Sequence, residues 1–390
     1  MGVPIQPDMR PAYIILICIA LLGSCNQPAE RKSAGNNTLR KGSETTVSLS
    51  PEEELGKLLF FDTSLSDPPG QSCATCHDPA FAFADPDPEL PVSKGAIKEL
   101  YGNRNDMPVS YSMYTPPLHF DEHEGIWEGG FFWDGRANSL TEQAMGPPLN
   151  PLEMANKDTA AISEKLAVMP YAEMFYQVYG PEALSDPGTA FRNMALAITA
   201  FEESEEVNPF NSKYDYYLRG EVELTEQESR GLELFISEDK GNCAVCHPSS
   251  AGDESGMVLF TDHTYDNLGA PKNPENPFYL LPAEHNPDGA DFVDMGLGEV
   301  VGDASQNGKF RVPTLRNVAI TPPYMHNGVF KTLYQVIAFY NTRDVHDWPP
   351  PEVPENVNNE ELGDLGLSNS EVEDIVAFLN TLTDNWEGNK

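Results

Sequence analysis

Cys73-Ala74-Thr75-Cys76-His77 and Cys243-Ala244-Val245-Cys246-His247 are the two stretches on which the fold of this chain turns. Each places two thiols at the spacing Cys-x-x-Cys and an imidazole directly after them. Two cysteines at that spacing on one helical turn meet the two vinyl carbons of a porphyrin and form thioether bonds with them. The next residue then projects its imidazole beneath the iron. The chain therefore reads as carrying two covalently attached haem c groups, with Cys73, Cys76, Cys243 and Cys246 as attachment points and His77 and His247 as proximal iron ligands. A zinc site or a redox dithiol competes with this reading. Zinc wants four ligands placed together, whereas here each pair has its own histidine and the pairs lie far apart in the chain. A thioredoxin-like dithiol needs no following histidine.

Outward from the motifs, an internal repeat is visible. Ser50-Pro51-Glu52-Glu53, then Gly56 and Phe60, precede the first motif; Thr225-Glu226-Gln227-Glu228, then Gly231 and Phe235, precede the second. A Ser or Thr three residues before a Glu is a capping box that starts a helix, and the Leu, Gly and Phe that follow share one helical face. Ser368-Asn369-Ser370-Glu371 opens a third such helix, with Val372, Ile375, Val376, Phe378, Leu379 and Leu382 at helical spacing. A first and a last helix packed around a haem fit this pattern. Alternating strand patterns are few, so the expected class is mostly α: two cytochrome c-like haem domains related by an internal repeat, rich in loops. Thirty glycines and 34 prolines support the loops, and Pro271 to Pro287 is expected to be irregular.

The amino-terminal segment is of another kind. Arg10 precedes an apolar run, Ala12 to Leu22, that is too short to span a membrane and has the length of a signal-peptide core. It ends in Leu22-Gly23-Ser24-Cys25, which resembles the bacterial lipoprotein box. A diacylglycerol on Cys25, with a further acyl chain on its amine, anchors stably where a single chain does not. An ordinary signal peptide with a chance cysteine is the alternative. The expected organisation is a signal peptide over 1–25, a flexible tether over 26–47, a first haem domain over 48–205, a connector over 206–220 and a second haem domain over 221–390. Of six cysteines, Cys18 leaves with the signal, Cys25 takes the lipid and four serve the motifs, so none remains for a disulfide. The expected location is the periplasmic side of a bacterial membrane, reached through the lipid anchor alone, and Asn26 after the cysteine points to the outer membrane. A net charge of −37 repels phosphate backbones and excludes nucleic acid as a partner. Such a surface attracts a basic partner, or serves solubility alone.

Between and after the motifs lie Phe131-Phe132-Trp133-Asp134-Gly135-Arg136-Ala137, Thr141-Glu142-Gln143-Ala144 and Asn150-Pro151-Leu152-Glu153-Met154. Further on come Arg311-Val312-Pro313-Thr314-Leu315-Arg316-Asn317, Pro322-Pro323-Tyr324-Met325-His326-Asn327-Gly328 and Phe339-Tyr340-Asn341-Thr342-Arg343. As a set these resemble the bacterial dihaem cytochrome c peroxidase family, including its MauG-type branch, over essentially the whole chain after the tether. The resemblance implies that Trp133 lies between the haems and relays electrons, and that Glu153 lines the open face of the first haem and handles protons during peroxide cleavage. Gln143 and Pro147 match other residues of that pocket. A carboxylate near the iron is chemically apt, because splitting an O–O bond needs a proton moved from the near oxygen to the leaving one. Without the motif, a lone Glu is usually solvated, and a lone Trp is more often core packing. Asn105, Thr321 and Pro323 match positions that hold one Ca²⁺ between the domains, partly through backbone carbonyls, and oxygen ligands suit that ion. His326 matches a histidine near the inter-haem region; its plainer role is a buried histidine bonded to backbone.

Two departures from the peroxidase pattern stand out. Well-known members cap the first iron in the resting enzyme with a histidine from the loop before the Phe-Trp-Asp-Gly-Arg stretch. Here the segment from Ala84 to Leu118 has none, and His119 and His123 follow in what reads as an inserted segment. The first iron is expected to be five-coordinate or capped by water. Peroxidase members also place a methionine on the second iron, whereas counting on from His326 reaches Tyr340, which looks like the MauG-type tyrosine ligand. If Tyr340 is instead a core residue beside Ile337 and Phe339, Met325 or Met295 supplies the sulfur.

The leading expectation is an oxidoreductase, a dihaem cytochrome-c peroxidase. It would reduce hydrogen peroxide at the first haem with electrons relayed from the second, its donor being a small cytochrome c or cupredoxin. One alternative is a MauG-type enzyme that uses the oxidising power of peroxide on a protein or small-molecule substrate. Another is a dihaem electron carrier without catalysis, which has no need of an open site with a carboxylate.

Overall fold

The computed structural model describes residues 48–251 and 256–388. The expected signal peptide, Cys25 and the tether to residue 47 lie outside the described residues. In chain order the elements are α1 (Pro51–Phe60), α2 (Cys73–Cys76), β1 (His119–Asp121), β2 (Ile126–Glu128), α3 (Leu140–Ala144), α4 (Thr159–Val168), α5 (Ala172–Tyr179), α6 (Pro187–Glu202), α7 (Lys213–Leu218) and α8 (Glu226–Ile236). They continue with β3 (Tyr265–Asp266), α9 (Leu297–Val301), β4 (Phe310–Arg311), α10 (Leu333–Thr342) and α11 (Asn369–Asn380). The class is mostly helical and loop-rich, as expected. No helix among the described residues is long and apolar enough to cross a membrane.

The repeat appears as two matching helix pairs, α1 against α6 and α8 against α11. Capping boxes start three of these helices: Ser50 with Glu53, Thr225 with Glu228 and Ser368 with Glu371. Each cap satisfies main-chain donors that the first turn leaves open and is worth about 1 kcal/mol. At α6 the cap is Asp186, whose carboxylate accepts from the N–H groups of Gly188 and Thr189. The pairs close onto each other at glycines. A Cβ at Gly56 would collide with the Ala197 main chain, and one at Gly231 with the Asp374 main chain.

Beside each glycine contact sits a triad of phenylalanines. Phe60 of α1 meets Phe201 of α6 at 5.3 Å, and both meet Phe83, at 5.9 and 6.2 Å. Phe235 of α8 meets Phe378 of α11 at 5.1 Å, and both meet Phe260, each at 6.2 Å. All six rings are buried, each removing on the order of 1.5–3 kcal/mol of apolar exposure from water. These triads centre two separate hydrophobic cores, one built from residues 55–207 and the other from 214–382.

The stretch expected as a connector, 206–220, is not loose. It contains α7, started by a capping box at Ser212, and Tyr214 on it packs against Phe260 and Phe378 of the second core. Apolar burial of one tyrosine ties this short helix to the second core. Two antiparallel ribbons, β1–β2 and β3–β4, complete the described strands. A bridge between Glu128 and Thr264 joins one ribbon to the other. Pro271 to Pro287 is irregular apart from a short 3-10 turn at Pro277–Leu280.

Candidate functional site

Each haem-attachment motif lines its own cleft. In the first, His77 is half-buried and its Nδ1 lies 3.0 Å from the Phe83 carbonyl oxygen. In the second, His247 Nδ1 lies 2.7 Å from the Phe260 carbonyl oxygen. That bond fixes Nδ1–H as donor and leaves the other ring nitrogen as an iron-binding lone pair. Burial lowers the pKa of His77 and pushes that of His247 down to about 4, so both imidazoles are neutral, as a ligand must be. Phe83 and Phe260 hold φ of +58° and +54° to present those carbonyls. This left-handed conformation is costly for a bulky side chain and occurs where surroundings enforce it. Here the ring triads do so, twice.

The first cleft encloses about 1300 Å³ not filled by protein atoms, its open mouth included. Cys73, Cys76, His77, Trp133, Gln143, Pro147 and Glu153 all line it, so every residue expected at the first haem is brought together. Burial, then the nearby Asp106 carboxylate, push Glu153 up to about 7 against the weaker pull of Arg136 and an Asn150 hydrogen bond of 2.9 Å. His77 is the only histidine lining this cleft among the described residues. His119 and His123 sit on the exposed β1–β2 hairpin instead.

The second cleft encloses about 1710 Å³ on the same measure. Cys243, Cys246, His247, Met325 and Tyr340 line it, as do Asn105, Thr321, Pro323 and His326, of which Asn105 also lines the first cleft. Both candidate distal ligands therefore face this cleft, with Tyr340 Oη 3.9 Å from Met325 Sδ. Met295 does not line it and is 36% exposed, which removes it as a ligand candidate. Asn105 donates its side-chain amide to the Pro91 carbonyl over 3.3 Å, uses its own carbonyl on the Trp133 indole and its N–H on the His326 carbonyl. His326 is buried, stacked on Phe310 at 3.6 Å, with Nε2 3.7 Å from Glu352.

Trp133 lines both clefts. Its loop is held by Asp134, which accepts from Arg104 at 2.6 Å and from Arg136 at 2.9 Å, and by the Arg311 N–H, which donates to the Trp133 carbonyl over 2.8 Å. Arg104 is in turn clamped by Asp294 at 2.7 and 2.8 Å. These ion pairs, buried at Arg104 and open to solvent at Arg136, fix the loop that carries Trp133.

The clefts fit haem on an independent observation. Arg311 lines both, is fully buried, and its guanidinium reaches only the Phe132 carbonyl at 3.4 Å and Met107 Sδ at 3.6 Å. A buried cation without a counter-ion is strongly disfavoured, and the carboxylate arms of a haem are anions of the required kind. Sequence reasoning missed Arg311 as a site residue, as it missed the two phenylalanine carbonyls and Glu202 in the first cleft. Arg311 stood inside a recognised motif, but a partner missing from the protein cannot be seen without the fold.

The family model for di-haem cytochrome c peroxidase matches residues 50–223. The methylamine utilization protein MauG of Paracoccus denitrificans (strain Pd 1222) is 42% identical over 349 residues, covering 85% of this chain and 88% of that protein. Cytochrome c551 peroxidase of Pseudomonas aeruginosa is 33% identical, covering 85% of this chain and 78% of that one. Among solved structures, the diheme peroxidase BthA of Burkholderia thailandensis E264 superposes with a TM-score of 0.77 at 36% identity, covering 87% of each chain. With paired clefts of this build and full-length likeness of this order, the chain belongs to the di-haem cytochrome c peroxidase family, and two haem c groups are its cofactors.

Proposed function

We propose that this protein reduces hydrogen peroxide at the first cleft, using electrons that enter at the second and cross by way of Trp133. The observation that carries this reading is Glu153, a half-buried carboxyl lining the first cleft whose pKa is pushed up to about 7. A group titrating near neutrality can both take and return a proton at working pH. When bound, the first haem supplies an open iron site for peroxide and the redox equivalents that break its O–O bond. Glu153 takes the proton from the oxygen nearer the iron and delivers it to the departing oxygen, which leaves as water. With two electrons and two further protons, one peroxide gives two waters. Gln143 and Pro147 shape the space over the iron, and Gln143 offers an amide to orient the peroxide. With no second histidine lining this cleft, we take its iron to be accessible at rest.

The electron donor in this reading is a small basic cytochrome c or cupredoxin drawn by the acidic surface. Tyr340 is assigned as distal ligand of the second iron. Burial raises its pKa, so the phenol ionises only with the help of a metal's charge. Asn105, Thr321 and Pro323 are assigned one Ca²⁺ at the wall between the sites. The mature protein is placed on the periplasmic side, anchored through lipidated Cys25 and the tether, in the outer membrane.

A second reading is favoured by the 42% identity to MauG together with Tyr340 in the second cleft: a MauG-type enzyme that turns peroxide's oxidising power on a protein or small molecule. Absorption and EPR spectra of the resting protein, followed by peroxide addition and by turnover with reduced cytochrome c, separate the readings. Fast cytochrome c oxidation that is lost in Glu153→Gln supports the peroxidase. A long-lived oxidised state with poor cytochrome c turnover supports the MauG-type enzyme. Two six-coordinate, peroxide-inert haems would sink both.

A further inference from the structure

Glu202, the last residue of α6, lines the first cleft and is 4% exposed. Its Oε2 is buried without a hydrogen-bond partner. Its charge acts on Cys73, as does that of Glu153, so it sits by the attachment cysteine and is separate from the Glu153–Asn150 pair. An unpaired buried carboxylate is far costlier than an unpaired buried carboxylic acid, so the group stays protonated unless a cation compensates it.

Of the cations that line the cleft, Arg104 is clamped by Asp134 and Asp294, Arg311 turns to the Phe132 carbonyl and Met107, and neither these nor Lys94 acts on the Glu202 charge. The next residue, which caps the helix, is Glu203, of like charge. From α1, Lys57 is paired with Glu206 at 2.5 Å, and Glu52 accepts from Tyr179. From α4, Lys165 is spent on the Ser66 carbonyl and on Asn156. From α3, Glu142 accepts from the Asn138 N–H. Across the cleft stand Glu153 and Asp106, again carboxyls, and Arg136, which is bound to Asp134. Burial first, and Glu203 second, push Glu202 up to about 8. Glu153 and Asp106, held at about 7 and about 6 in the same cleft, change charge with pH, whereas the haem site changes charge with each electron it gains or loses.

We propose that Glu202 couples proton uptake to electron uptake at the first haem site: its carboxyl binds a proton when the site gains an electron and releases it when the site loses one. The balance is one proton from solvent for each electron from the donor, so the charge of the buried site stays constant. An added negative charge raises the affinity of a neighbouring carboxylate for protons, and removal of that charge lowers it. This requires haem at Cys73 but not peroxidase activity, because Glu153 handles substrate protons and Glu202 only compensates charge.

The test is a spectroelectrochemical titration of the first haem in the haem-loaded protein, on both sides of about pH 8. In the wild type the midpoint potential is expected to fall with rising pH, approaching one proton per electron. Glu202→Gln is expected to lose the part of that slope centred near pH 8, whereas Glu153→Gln removes only a part centred near pH 7. Glu202→Asp, which retains an ionisable group, is expected to restore coupling with a shifted midpoint. In redox-difference infrared spectra, a carboxyl C=O band should be present in the wild type and absent in Glu202→Gln. A wild-type potential independent of pH, or a Glu202→Gln variant with the wild-type slope, overturns the proposal even if peroxide turnover is normal.

Discussion

The Trp133 indole Nε1 donates to the Asn105 carbonyl over 2.7 Å, and the Asn105 N–H donates to the His326 carbonyl over 2.7 Å. Trp133 and Asn105 line both clefts, so the indole is a pinned side chain between two redox sites and not a free core residue. Replacing Trp133 with Phe keeps most of the apolar volume but removes this bond and the more easily oxidised ring. Electron transfer between the haems is expected to slow tenfold or more, about 1.4 kcal/mol in barrier. The optical spectra of both haems should stay unchanged. Stopped-flow reduction of the first haem after mixing with a donor measures this, and an unchanged inter-haem rate would remove Trp133 from the path.

Glu153 gives a pH prediction with a definite sign. The form that accepts a proton from peroxide is the carboxylate, and its pKa is held up at about 7 chiefly by burial. The rate of reaction with peroxide should therefore rise as pH increases through about 7 and level off above it. In Glu153→Gln the group cannot exchange protons, and a loss of roughly 10²–10⁴-fold is expected, with the pH step gone. Peroxide mixing monitored at the Soret band checks both, and a step that survives in the variant belongs to another group.

The paired architecture was legible before any coordinates. The two Cys-x-x-Cys-His motifs and three capping boxes lie in local patterns, and local patterns survive into structure because few distant contacts oppose them. Gly56 and Gly231 were visible as matched positions, although their reason, a close approach to Ala197 and Asp374, was not. What stayed hidden depends on distant partners. Phe83 and Phe260 look like ordinary aromatics until their carbonyls are seen to hold His77 and His247. Glu202 reads as a solvated helix end, yet packing of α6 on α1 buries it. Within 206–220, likewise, only tertiary contact shows that Tyr214 belongs to the second core.

The matched glycines yield a paired test. Gly56→Ala and Gly231→Ala each force a methyl group into the main chain of a partner helix. Such overpacking costs typically about 1–3 kcal/mol. Because the cores are separate, each variant should disturb the haem next to its own helix pair: Gly56→Ala the one at His77, Gly231→Ala the one at His247. Denaturant melts followed at the Soret band, with EPR to tell the two irons apart, read this out. If either variant perturbs both haems equally, the two helix pairs do not act as separate units.

Arg316 is 2% exposed and grips Asp215 through two bonds of 2.7 and 3.1 Å, while its Nε donates to the Val258 carbonyl over 2.7 Å. Its guanidinium also lies 4.2 Å from the Phe210 ring and 4.8 Å from that of Tyr111, so it fastens α7 and the start of the second core to residues around the first. Burial pushes the Asp215 carboxyl up, but the hydrogen bonds and charge of Arg316 outweigh it, and the net pKa is below 3.8. A carboxylate with a lowered folded pKa contributes stability in full above its unfolded value of about 3.8 and loses it as pH falls through the folded value. Arg316→Met strands a buried charge on Asp215 and should cost roughly 3–5 kcal/mol near neutral pH. Its deficit should shrink in acid, where Asp215 can protonate. The double variant Arg316→Met with Asp215→Leu should recover much of the loss, because two apolar side chains need no partner there. Urea melts of the four proteins at neutral and acid pH measure these differences. A double variant no more stable than Arg316→Met would show that the guanidinium acts mainly through Tyr111, Phe210 and the Val258 carbonyl, with Asp215 a bystander.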